Sequence, residues 1–430
     1  MQHRLIGALL LALGMTAPVF AAPAHVVTEI ELSHQLGRVN AEKLAHLVEH
    51  FNNQSKDYKV RLATRAEGAA PATLNLATRE DVHEFTLKKG QFRPLHQVMA
   101  DAKEKFDAAM FAPELRVGVA DAKGKLVALP VAMTTPVLFY NKAAFRKAGL
   151  NPEQPPRTWM QLQEAAGKLR DADISCPYTS SWPTWIHIDN LAALNAGDVA
   201  DAKGKLAFNG YVQVKHVAML ATWHKSFYFI YYGRRNEADR HFAAGECGML
   251  TSNVSLAAVL RDSPAIDFGV APLPHHDDVR GAPDHTLADG ASLWVGEGRK
   301  PAEYKAAAKF VSFLLTPEMQ VELTKMGGYL PMTPVARAVA ESKLLAGDLV
   351  GLKVAYNQLK NQGAMHPLRV SQIEPVRTIV EEELEAVWAN KKPAKEALDT
   401  AVARGNIALM PAPAAKPAAK GKCGSNCRGS

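Results

Sequence analysis

The sequence predicts an α/β protein built as two lobes. Residues Val26 to Leu32 alternate as in a strand, an amphipathic helix follows, and Tyr58 to Leu62 have the composition of a second strand. This order of strand, helix and strand is typical of a right-handed parallel unit. The chain has 430 residues. Roughly 400 of them remain after the leader described below, which is more than one hydrophobic core usually supports.

The helix of this first unit is predicted to begin at Asn40, whose side chain is of the type that caps helices. Leu44, Leu47, Val48 and Phe51 then fall on one helical face. A helix with one apolar face is expected to pack on the sheet formed by the neighbouring strands. The first lobe is therefore predicted to begin with a helix laid against parallel strands.

The best-defined local structure is predicted in the segment TPVLFYNKAAFRKAGLNPEQPPRTWMQLQEAAGKL. Val137 to Tyr140 form an apolar strand, Asn141 opens a short helix, and Gly149 can end that helix in the left-handed conformation. Thr158 and Gln161 have the spacing of a capping box at the start of a second helix. The order predicts a buried strand followed by two helices.

A later segment, Pro301 to Met326, is predicted to be helical in two pieces. The second piece starts at Thr316 and Pro317, and Gly327 with Gly328 ends it.

The amino-terminal residues have the pattern of a secretory signal. Met1 to Ala21 contain one basic residue, Arg4, then the apolar run Leu5 to Leu13, and small residues with Val19 and Ala21 placed as a cleavage site. A membrane-spanning helix needs about 20 apolar residues, and this run is shorter. We therefore predict that the chain is exported and that its signal peptide, residues 1–21, is cleaved.

The charge distribution argues against nucleic-acid binding. The formal net charge is +7. Five of these charges lie outside the body of the protein, which leaves it close to neutral, with acidic and basic residues interleaved. The five residues are Arg4, Lys416, Lys420, Lys422 and Arg428.

The four cysteines are expected to form disulfides in an oxidising compartment. Cys176 with Cys247 is one candidate pair, and Cys423 with Cys427 is another. The sequence alone does not establish either connectivity. Two soft ligands without a nearby histidine make a poor zinc site, so a metal role for the second pair is not favoured.

The segment quoted above closely resembles the solute-binding proteins of ABC importers, and within them those that bind sn-glycerol 3-phosphate. The resemblance continues in family order over most of the chain. It is carried by FNNQSKDYKV, YGRRNEADRHFAAGECGM, DGASLWV, GGYLPMTP, LRVSQ and VEEELEAVW.

This resemblance implies the two-lobed fold of a periplasmic binding protein, with a hinge of crossing segments and a ligand cleft between the lobes. The implied lobes comprise residues 25–131 plus 287–331 and residues 132–286 plus 332–410. Residues 411–430, rich in Ala, Pro, Lys and Gly, are expected to be a disordered basic tail. A ligand held between such lobes favours the closed form.

The function implied by the resemblance is capture in the periplasm and not catalysis. The ligand would be a small phosphorylated polyol, either sn-glycerol 3-phosphate or a glycerophosphodiester such as glycerophosphocholine, taken up as a phospholipid precursor. The partners would be two inner-membrane permease subunits with a cytoplasmic ATPase, and the protein would work as a monomer. No cofactor and no nucleic acid are implied. A sugar or another polyol is the alternative ligand, and a receptor partner is the alternative use of the same fold.

The resemblance also implies particular ligand contacts. Arg369 in LRVSQ matches a ligand-contacting arginine, Tyr329 matches the tyrosine of GYLP, and Gly290 matches a position where a backbone N–H approaches the ligand. Thr134 stands where the family has a serine hydroxyl. From the local sequence alone, the favoured interpretation of Arg369 is a surface arginine paired with Glu374 or another carboxylate, and the resemblance reverses that preference.

Further contacts are expected from the second lobe. Ser252 or Asn253 corresponds to another family serine. Trp182 and Trp185 match a tryptophan pair that can line the cleft and face a choline-type cation, although two close aromatics are more often core. Tyr232 and Arg234 are weaker candidates, for which a surface loop is an equal or better interpretation.

The chain departs from the family on the glycerol side of the expected site. Ser33 precedes His34 where the family has a tryptophan, and the stretch ATRAEGAAP replaces a longer insertion that carries a ligand-contacting tyrosine. The family's glutamate for the glycerol hydroxyls is replaced near Thr78. The phosphate half of the site is therefore predicted to be retained and the glycerol half to be rebuilt.

A secreted metallohydrolase is the enzymatic alternative, because four potential metal ligands stand side by side. Adjacent residues seldom converge on one ion, and their Pro/Gly-rich surroundings are typical of an exposed loop. The four residues are His275, His276, Asp277 and Asp278. The chain also has no HExxH, GxSxG or GxxxxGK[ST] motif, so we predict neither a metal site nor an enzyme.

Overall fold

The computed structural model describes residues 26–410, apart from residues 80, 117, 264, 284, 345–350 and 360–367. The predicted signal peptide at 1–21, the predicted tail at 411–430 and the candidate pair Cys423 and Cys427 lie outside the described residues. Within the described range, no helix is both long enough and apolar enough to cross a membrane.

Strands and helices alternate along most of the described chain. The strands are β1 (Thr28–His34), β2 (Tyr58–Thr64), β3 (Leu74–Ala77), β4 (Phe92–Arg93), β5 (Leu129–Thr134), β6 (Pro136–Asn141), β7 (Cys176–Ser180), β8 (Phe229–Ile230), β9 (Cys247–Asn253), β10 (Phe268–Pro272) and β11 (Asp289–Gly296). The α-helices are α1 (Arg38–Gln54), α2 (Val82–Leu87), α3 (Leu95–Asp101), α4 (Lys142–Lys147), α5 (Trp159–Asp171), α6 (Leu191–Leu194), α7 (Tyr211–Lys225), α8 (Glu237–Ala243), α9 (Leu256–Arg261), α10 (Pro301–Leu314), α11 (Pro317–Gly327), α12 (Pro334–Lys343), α13 (Leu352–Gln358), α14 (Glu374–Trp388) and α15 (Ala394–Ala408).

The first lobe is built on a mixed sheet. Its strand order is β2, β1, β3, β11, β4, and β5 pairs with β11. β1 runs parallel to β2 and β3, whereas β11 runs antiparallel to β3, β4 and β5. Helices α1, α2, α3, α10 and α11 bury a single apolar core together with this sheet. Phe51 on α1 meets Phe310 on α10 edge to face, with 5.1 Å between ring centroids.

The connection from β2 to β3 contains no helix, although these strands lie on opposite sides of β1. This is the stretch in which the sequence lacks the family's longer insertion. On β1 and β2 beside it, Arg61 forms exposed ion pairs with Glu29 at 3.5 Å and with Glu31 at 2.5 Å. Charged side chains are expected where strands face solvent, and these exposed ion pairs lie on β1 and β2.

The second lobe is built on another mixed sheet, with strand order β10, β6, β9, β7, β8. β6 is antiparallel to β9 and β10, and β7 is parallel to β8 and β9. A disulfide joins Cys176 on β7 to Cys247 on β9, at directly paired positions of the two strands. The first of the two candidate pairings is therefore confirmed.

Helices cover both faces of this second sheet. One core includes residues of α5, α7, α14 and α15, with Trp159 and Trp223 fully buried. The other includes residues of α8, α9 and α13. Two sheets, each with its own core, confirm the predicted α/β fold with two lobes.

The predicted helix boundaries after β6 are confirmed. The Asn141 side chain accepts a hydrogen bond from the Ala144 N–H at 3.0 Å, and Gly149 has φ +69°. The capping box of Thr158 and Gln161 is formed. These boundaries were predictable because caps depend on residues within one helical turn.

The predicted start of α1 is wrong. The helix begins at Arg38, with Gly37 as its cap, so Asn40 lies inside the first turn and does not cap it. An ion pair between Arg38 and Glu42 at 3.1 Å supports this earlier start. The Asn40 side chain is thereby free to line the cavity described below.

The two lobes are joined where β5 passes into β6 through Thr135 alone. A second connection runs from β10 to β11 and passes beside the first. The Thr135 hydroxyl oxygen lies 2.8 Å from the Thr286 hydroxyl oxygen and 3.0 Å from the Leu287 carbonyl oxygen. These hydrogen bonds hold the two crossing segments together. The end of β5, the start of β6 and the start of β11 therefore lie close to one another at the junction of the lobes.

Candidate functional site

A cavity of about 340 Å³ lies between the two lobes. Its size is within the range of small-ligand sites, and its polar lining is typical of a site for a hydrophilic solute. Both lobes contribute to its surface. The lining residues are Asn40, Lys43, Thr78, Arg79, Ala132, Thr134, Trp182, Asn236, Asp239, Asn253, Ser255, Leu256, Val259, Gly290, Ala291, Gly327 and Tyr329.

Five of the predicted contact residues line this cavity, namely Thr134, Trp182, Asn253, Gly290 and Tyr329. They come from separate elements: the end of β5, the loop after β7, the end of β9, the start of β11 and the loop after α11. Burial raises the pKa of Tyr329, so its phenol stays protonated and can donate a hydrogen bond. The structure thus brings together five residues that are far apart in sequence.

The other three predicted residues lie behind the cavity lining. The Ser252 hydroxyl donates to the Asp239 carboxylate at 2.7 Å and is fully buried. Trp185 is buried against Ile186, Leu194 and Leu273. Arg369 is also buried, and its guanidinium donates to the carbonyl oxygen of Ala288.

Three charged residues for which the sequence predicts no ligand contact line the cavity: Lys43, Arg79 and Asp239. In the sequence, Lys43 cannot be distinguished from an ordinary surface lysine of the amphipathic helix α1. Arg79 directly follows Thr78, the position near which the family's glutamate is replaced, and this departure was the available signal. Asp239 lies in one of the segments that resemble the family but carries no motif of its own.

Asp289 is the centre of a buried charge cluster beside the cavity. Its Oδ2 lies 3.1 Å from Arg79 Nε and 4.0 Å from Arg369 Nη1. The Gly290 N–H donates to its Oδ1 at 2.8 Å. The buried Asp189 carboxylate also acts electrostatically on Arg369, so the two guanidinium groups stand beside two carboxylates. The cation that this cluster presents on the cavity surface is Arg79, whose donors suit an anion.

Asp239 presents a carboxylate on the opposite side of the cavity. It accepts hydrogen bonds from the Ser181 hydroxyl at 2.6 Å and the Ser252 hydroxyl at 2.7 Å. Burial raises the pKa of Asp239 to about 6, and the two serine hydroxyls oppose this shift. A carboxyl group held by two hydroxyl donors can also accept from a ligand hydroxyl.

Left-handed backbone occurs at two non-glycine residues beside the cavity. Ala132 and Trp182 both line it and have positive φ angles of 51° and 53°. Such conformations are unfavourable for residues other than glycine and tend to occur at functional sites. Gly290 is constrained differently, because a Cβ there would lie 2.6 Å from the Ala132 carbonyl oxygen. The backbone therefore approaches closely where β11 meets β5.

Three buried histidines form a hydrogen-bonded chain in the second lobe, away from the cavity lining. His187 Nδ1 lies 2.9 Å from His216 Nε2, and His216 Nδ1 lies 3.1 Å from His276 Nε2. The expectation that His276 belongs to an exposed loop is therefore wrong, because its ring completes this chain. Among the described residues, no group of three or more His, Cys, Asp or Glu side chains could hold a metal ion.

The histidine chain makes stability depend on pH. Burial lowers the pKa of His187 to about 3 and of His276 to about 4, and lowers the pKa of His216 well below its usual value. An unfolded histidine titrates near 6.5, so below that pH the unfolded chain binds more protons than the folded one. These histidines therefore reduce the stability of the fold as the pH falls from 6.5 toward 4.

Tyr232 and Arg234 do not line the cavity. The Tyr232 ring stacks on His241 with 3.7 Å between centroids. Arg234 forms a two-pronged ion pair with Glu385, at 2.8 Å from Nε and 2.6 Å from Nη2. Both side chains have structural partners in the second lobe, which agrees with the alternative interpretation of a surface loop.

Comparison with protein families places most of the chain in one of them. Residues 46–346 match the family model of a bacterial extracellular solute-binding protein. The sn-glycerol-3-phosphate-binding periplasmic protein UgpB of Yersinia enterocolitica is 36% identical over 416 residues, covering 91% of this chain and 94% of the relative. The UgpB of Salmonella typhimurium is also 36% identical, covering 93% of this chain and 96% of the relative.

Solved structures agree in fold. UgpB from Mycobacterium tuberculosis in complex with glycerophosphocholine aligns with a TM-score of 0.73 at 19% identity, covering 89% of this chain and 98% of that one. The cyclic α-maltosyl-1,6-maltose binding protein from Arthrobacter globiformis aligns with a TM-score of 0.70 at 22% identity, with the same coverage. This chain therefore belongs to the bacterial extracellular solute-binding proteins of ABC transporters and is not an enzyme.

Proposed function

We propose that this protein captures sn-glycerol 3-phosphate, or a glycerophosphodiester such as glycerophosphocholine, in the periplasm and delivers it to a permease. The permease would consist of two membrane subunits driven by a cytoplasmic ATPase, and the binding protein would act as a monomer. Export by a cleaved signal peptide belongs to the same proposal. A sugar or another polyol is the alternative ligand.

The observation that carries this proposal is the distribution of charge around the cavity. Lys43 and Arg79 line it from the first lobe, and Asp239 and Asn253 line it from the second. A phosphate needs cationic donors, and polyol hydroxyls need mixed acceptors and donors. The names of relatives that are about 36% identical over most of their length support the same ligand class.

In this mechanism the phosphate binds on the side of Lys43 and Arg79, and the hydroxyl groups bind on the side of Asp239 and Asn253. Since the two sides belong to different lobes, one ligand bridges them and stabilises the closed form. The hinge at Thr135 allows the lobes to open for entry and release. The permease then distinguishes the closed, loaded form from the open one.

We include Arg369 in the proposed site, although it lies behind Asp289 and not on the cavity surface. Its charge offsets that of the Asp289 carboxylate, which would otherwise repel a phosphate. Thr134, Gly290 and Tyr329 are proposed to contact the ligand from the crossing segments.

The test is calorimetric titration of the full chain with sn-glycerol 3-phosphate, glycerophosphocholine and maltose. The proposal expects binding of at least one phosphorylated ligand and none of maltose. Lys43→Ala should weaken phosphate binding by about tenfold to a hundredfold, which corresponds to a charged hydrogen bond of about 1.5–3 kcal/mol. Maltose binding without phosphate binding would overturn the proposal and favour the sugar alternative.

Lys56→Ala is the matched control for this test. Lys56 is an exposed lysine just beyond the far end of α1, about 20 Å from Lys43 along the helix axis. Its removal changes the net charge equally without touching the cavity. An equal loss of affinity in both variants would show that general electrostatics, and not a contact by Lys43, controls binding.

A further inference from the structure

Trp182 of the cavity lining and the buried Trp185 behind it already contact a cation that belongs to the protein. The guanidinium carbon of Arg79 lies 3.9 Å from the Trp185 ring centroid and 5.0 Å from the Trp182 ring centroid. Both distances are within the range of cation–π attraction. Arg79 comes from the loop after β3 in the first lobe, whereas both tryptophans follow β7 in the second lobe. The contact therefore crosses the cleft.

Arg79 is held in this position by two polar contacts. Its Nε forms the 3.1 Å ion pair with Asp289, in which both side chains are less than a tenth exposed. Its Nη2 donates to the Asn253 side-chain oxygen at 3.3 Å. Moving the guanidinium away would leave the buried Asp289 carboxylate without its nearest cation, which is strongly unfavourable.

The guanidinium itself covers the faces of the two tryptophan rings. Its remaining nitrogen, Nη1, is buried and has no hydrogen-bond partner among the described residues. A quaternary ammonium group could therefore reach these ring faces only by displacing the guanidinium, whose positive charge also repels it.

We propose that Arg79 determines ligand specificity by occupying the tryptophan pair in place of a ligand cation. The protein then selects phosphorylated polyols without a cationic headgroup and discriminates against choline diesters. This inference rests on the proposed function, because it narrows the ligand class of the same cleft. It replaces the expectation that Trp182 and Trp185 face a choline-type cation.

Three phosphorylated ligands separate the effect of the cation from that of the diester. sn-Glycerol 3-phosphate is a monoester, glycerophosphoglycerol is a diester without a cation, and glycerophosphocholine is a diester with one. Calorimetric titration of the full chain should give at least tenfold tighter binding of glycerophosphoglycerol than of glycerophosphocholine. Arg79→Ala should reduce that ratio at least tenfold, because the tryptophan pair becomes free to accept the choline group.

Two further variants make the test decisive. Arg79→Gln removes the charge but keeps a donor toward Asp289. It should also reduce the ratio of glycerophosphoglycerol affinity to glycerophosphocholine affinity, and it replaces the alanine variant if that variant does not fold. Arg65→Ala is the matched control, since Arg65 pairs with Asp81 at 3.1 Å and lies 4.8 Å from the Phe85 ring centroid, outside the cleft lining. It should leave the ratio unchanged.

The outcomes separate this inference from the proposed function. Equal binding of both diesters by the unaltered protein, or an unchanged ratio in the Arg79 variants, overturns the role of Arg79 while the proposed function stands. Binding of none of the three ligands by the folded protein overturns both. A lower ratio in the Arg65 variant would assign the effect to overall charge and would also overturn the inference.

Discussion

Reduction of the disulfide should destabilise the second lobe strongly. The bond between Cys176 and Cys247 closes a loop with a sequence separation of 71 residues. For a loop of that length, the chain-entropy model gives about 4.4 kcal/mol at 25 °C. In a domain of roughly 200 residues this corresponds to a fall in melting temperature of about 9 to 18 °C.

The assay is urea unfolding of the exported protein, followed by tryptophan fluorescence, with and without a reductant. We expect the midpoint of the second-lobe transition to fall when reductant is present. Cys176→Ala/Cys247→Ala should unfold at a low urea concentration in both conditions, because this variant has no cross-link to lose. Cys423→Ser/Cys427→Ser should behave as the unaltered protein does, since it retains the bond between β7 and β9.

The reasoning would be refuted by a change of less than about 1 kcal/mol between oxidised and reduced protein, far below the loop-closure value. Equal sensitivity to reductant in the Cys176→Ala/Cys247→Ala variant would also refute it, because the effect would then come from other groups.

Three other predictions concern the charge cluster, the histidine chain and the strand contact. Arg369→Ala should weaken phosphate binding at least tenfold in calorimetry, because the Asp289 carboxylate beside the cavity loses one of the two cations that offset its charge; an unchanged Kd would remove Arg369 from the site. Below pH 6.5, the unfolding free energy of His216→Gln should fall less steeply with decreasing pH than that of the unaltered protein, by about 1.4 kcal/mol per pH unit. Identical slopes for the variant and the unaltered protein would contradict a lowered pKa of His216. Gly290→Ala should lower the melting temperature and ligand affinity together, because its Cβ meets the Ala132 carbonyl; unaltered melting would disprove that close approach.

Measuring the His216 variant as a difference from the unaltered protein is essential. Burial raises the pKa of Asp189 and of Asp239 to about 6. A carboxyl group whose pKa is higher in the folded state adds stability below its unfolded pKa and loses it as the pH rises through 6. These two groups therefore oppose the histidines in the same pH range, and the difference between two proteins cancels their contribution.

Local structure is predictable from the sequence where all the residues that determine it, such as those of a helix cap, lie within one helical turn. Asn141 and Thr158 cap their helices through side chains that reach only three residues onward. Asn40 is also of a capping residue type but does not cap, because Gly37 and the ion pair of Arg38 start the helix one turn earlier. When several neighbouring residues could begin a helix, such contacts decide which one does, and the type of a single residue does not reveal them.

The candidate site was less predictable because its charges come from distant positions. Arg79, Asp289 and Arg369 meet only after both lobes have formed and packed along the hinge. The resemblance could indicate Arg369, but it could not indicate that Asp289 lies between this arginine and the cavity. Nor could the departure near Thr78 show that the next side chain crosses the cleft to Trp185.

A crystal structure of the full chain grown with sn-glycerol 3-phosphate tests the central claim most directly. The account predicts one ligand in the cavity between the lobes, with its phosphate within hydrogen-bond distance of Lys43 or Arg79 and its hydroxyl groups toward Asp239 and Asn253. A ligand bound outside this cavity, or a cavity that stays empty at a ligand concentration that saturates UgpB relatives, would contradict it.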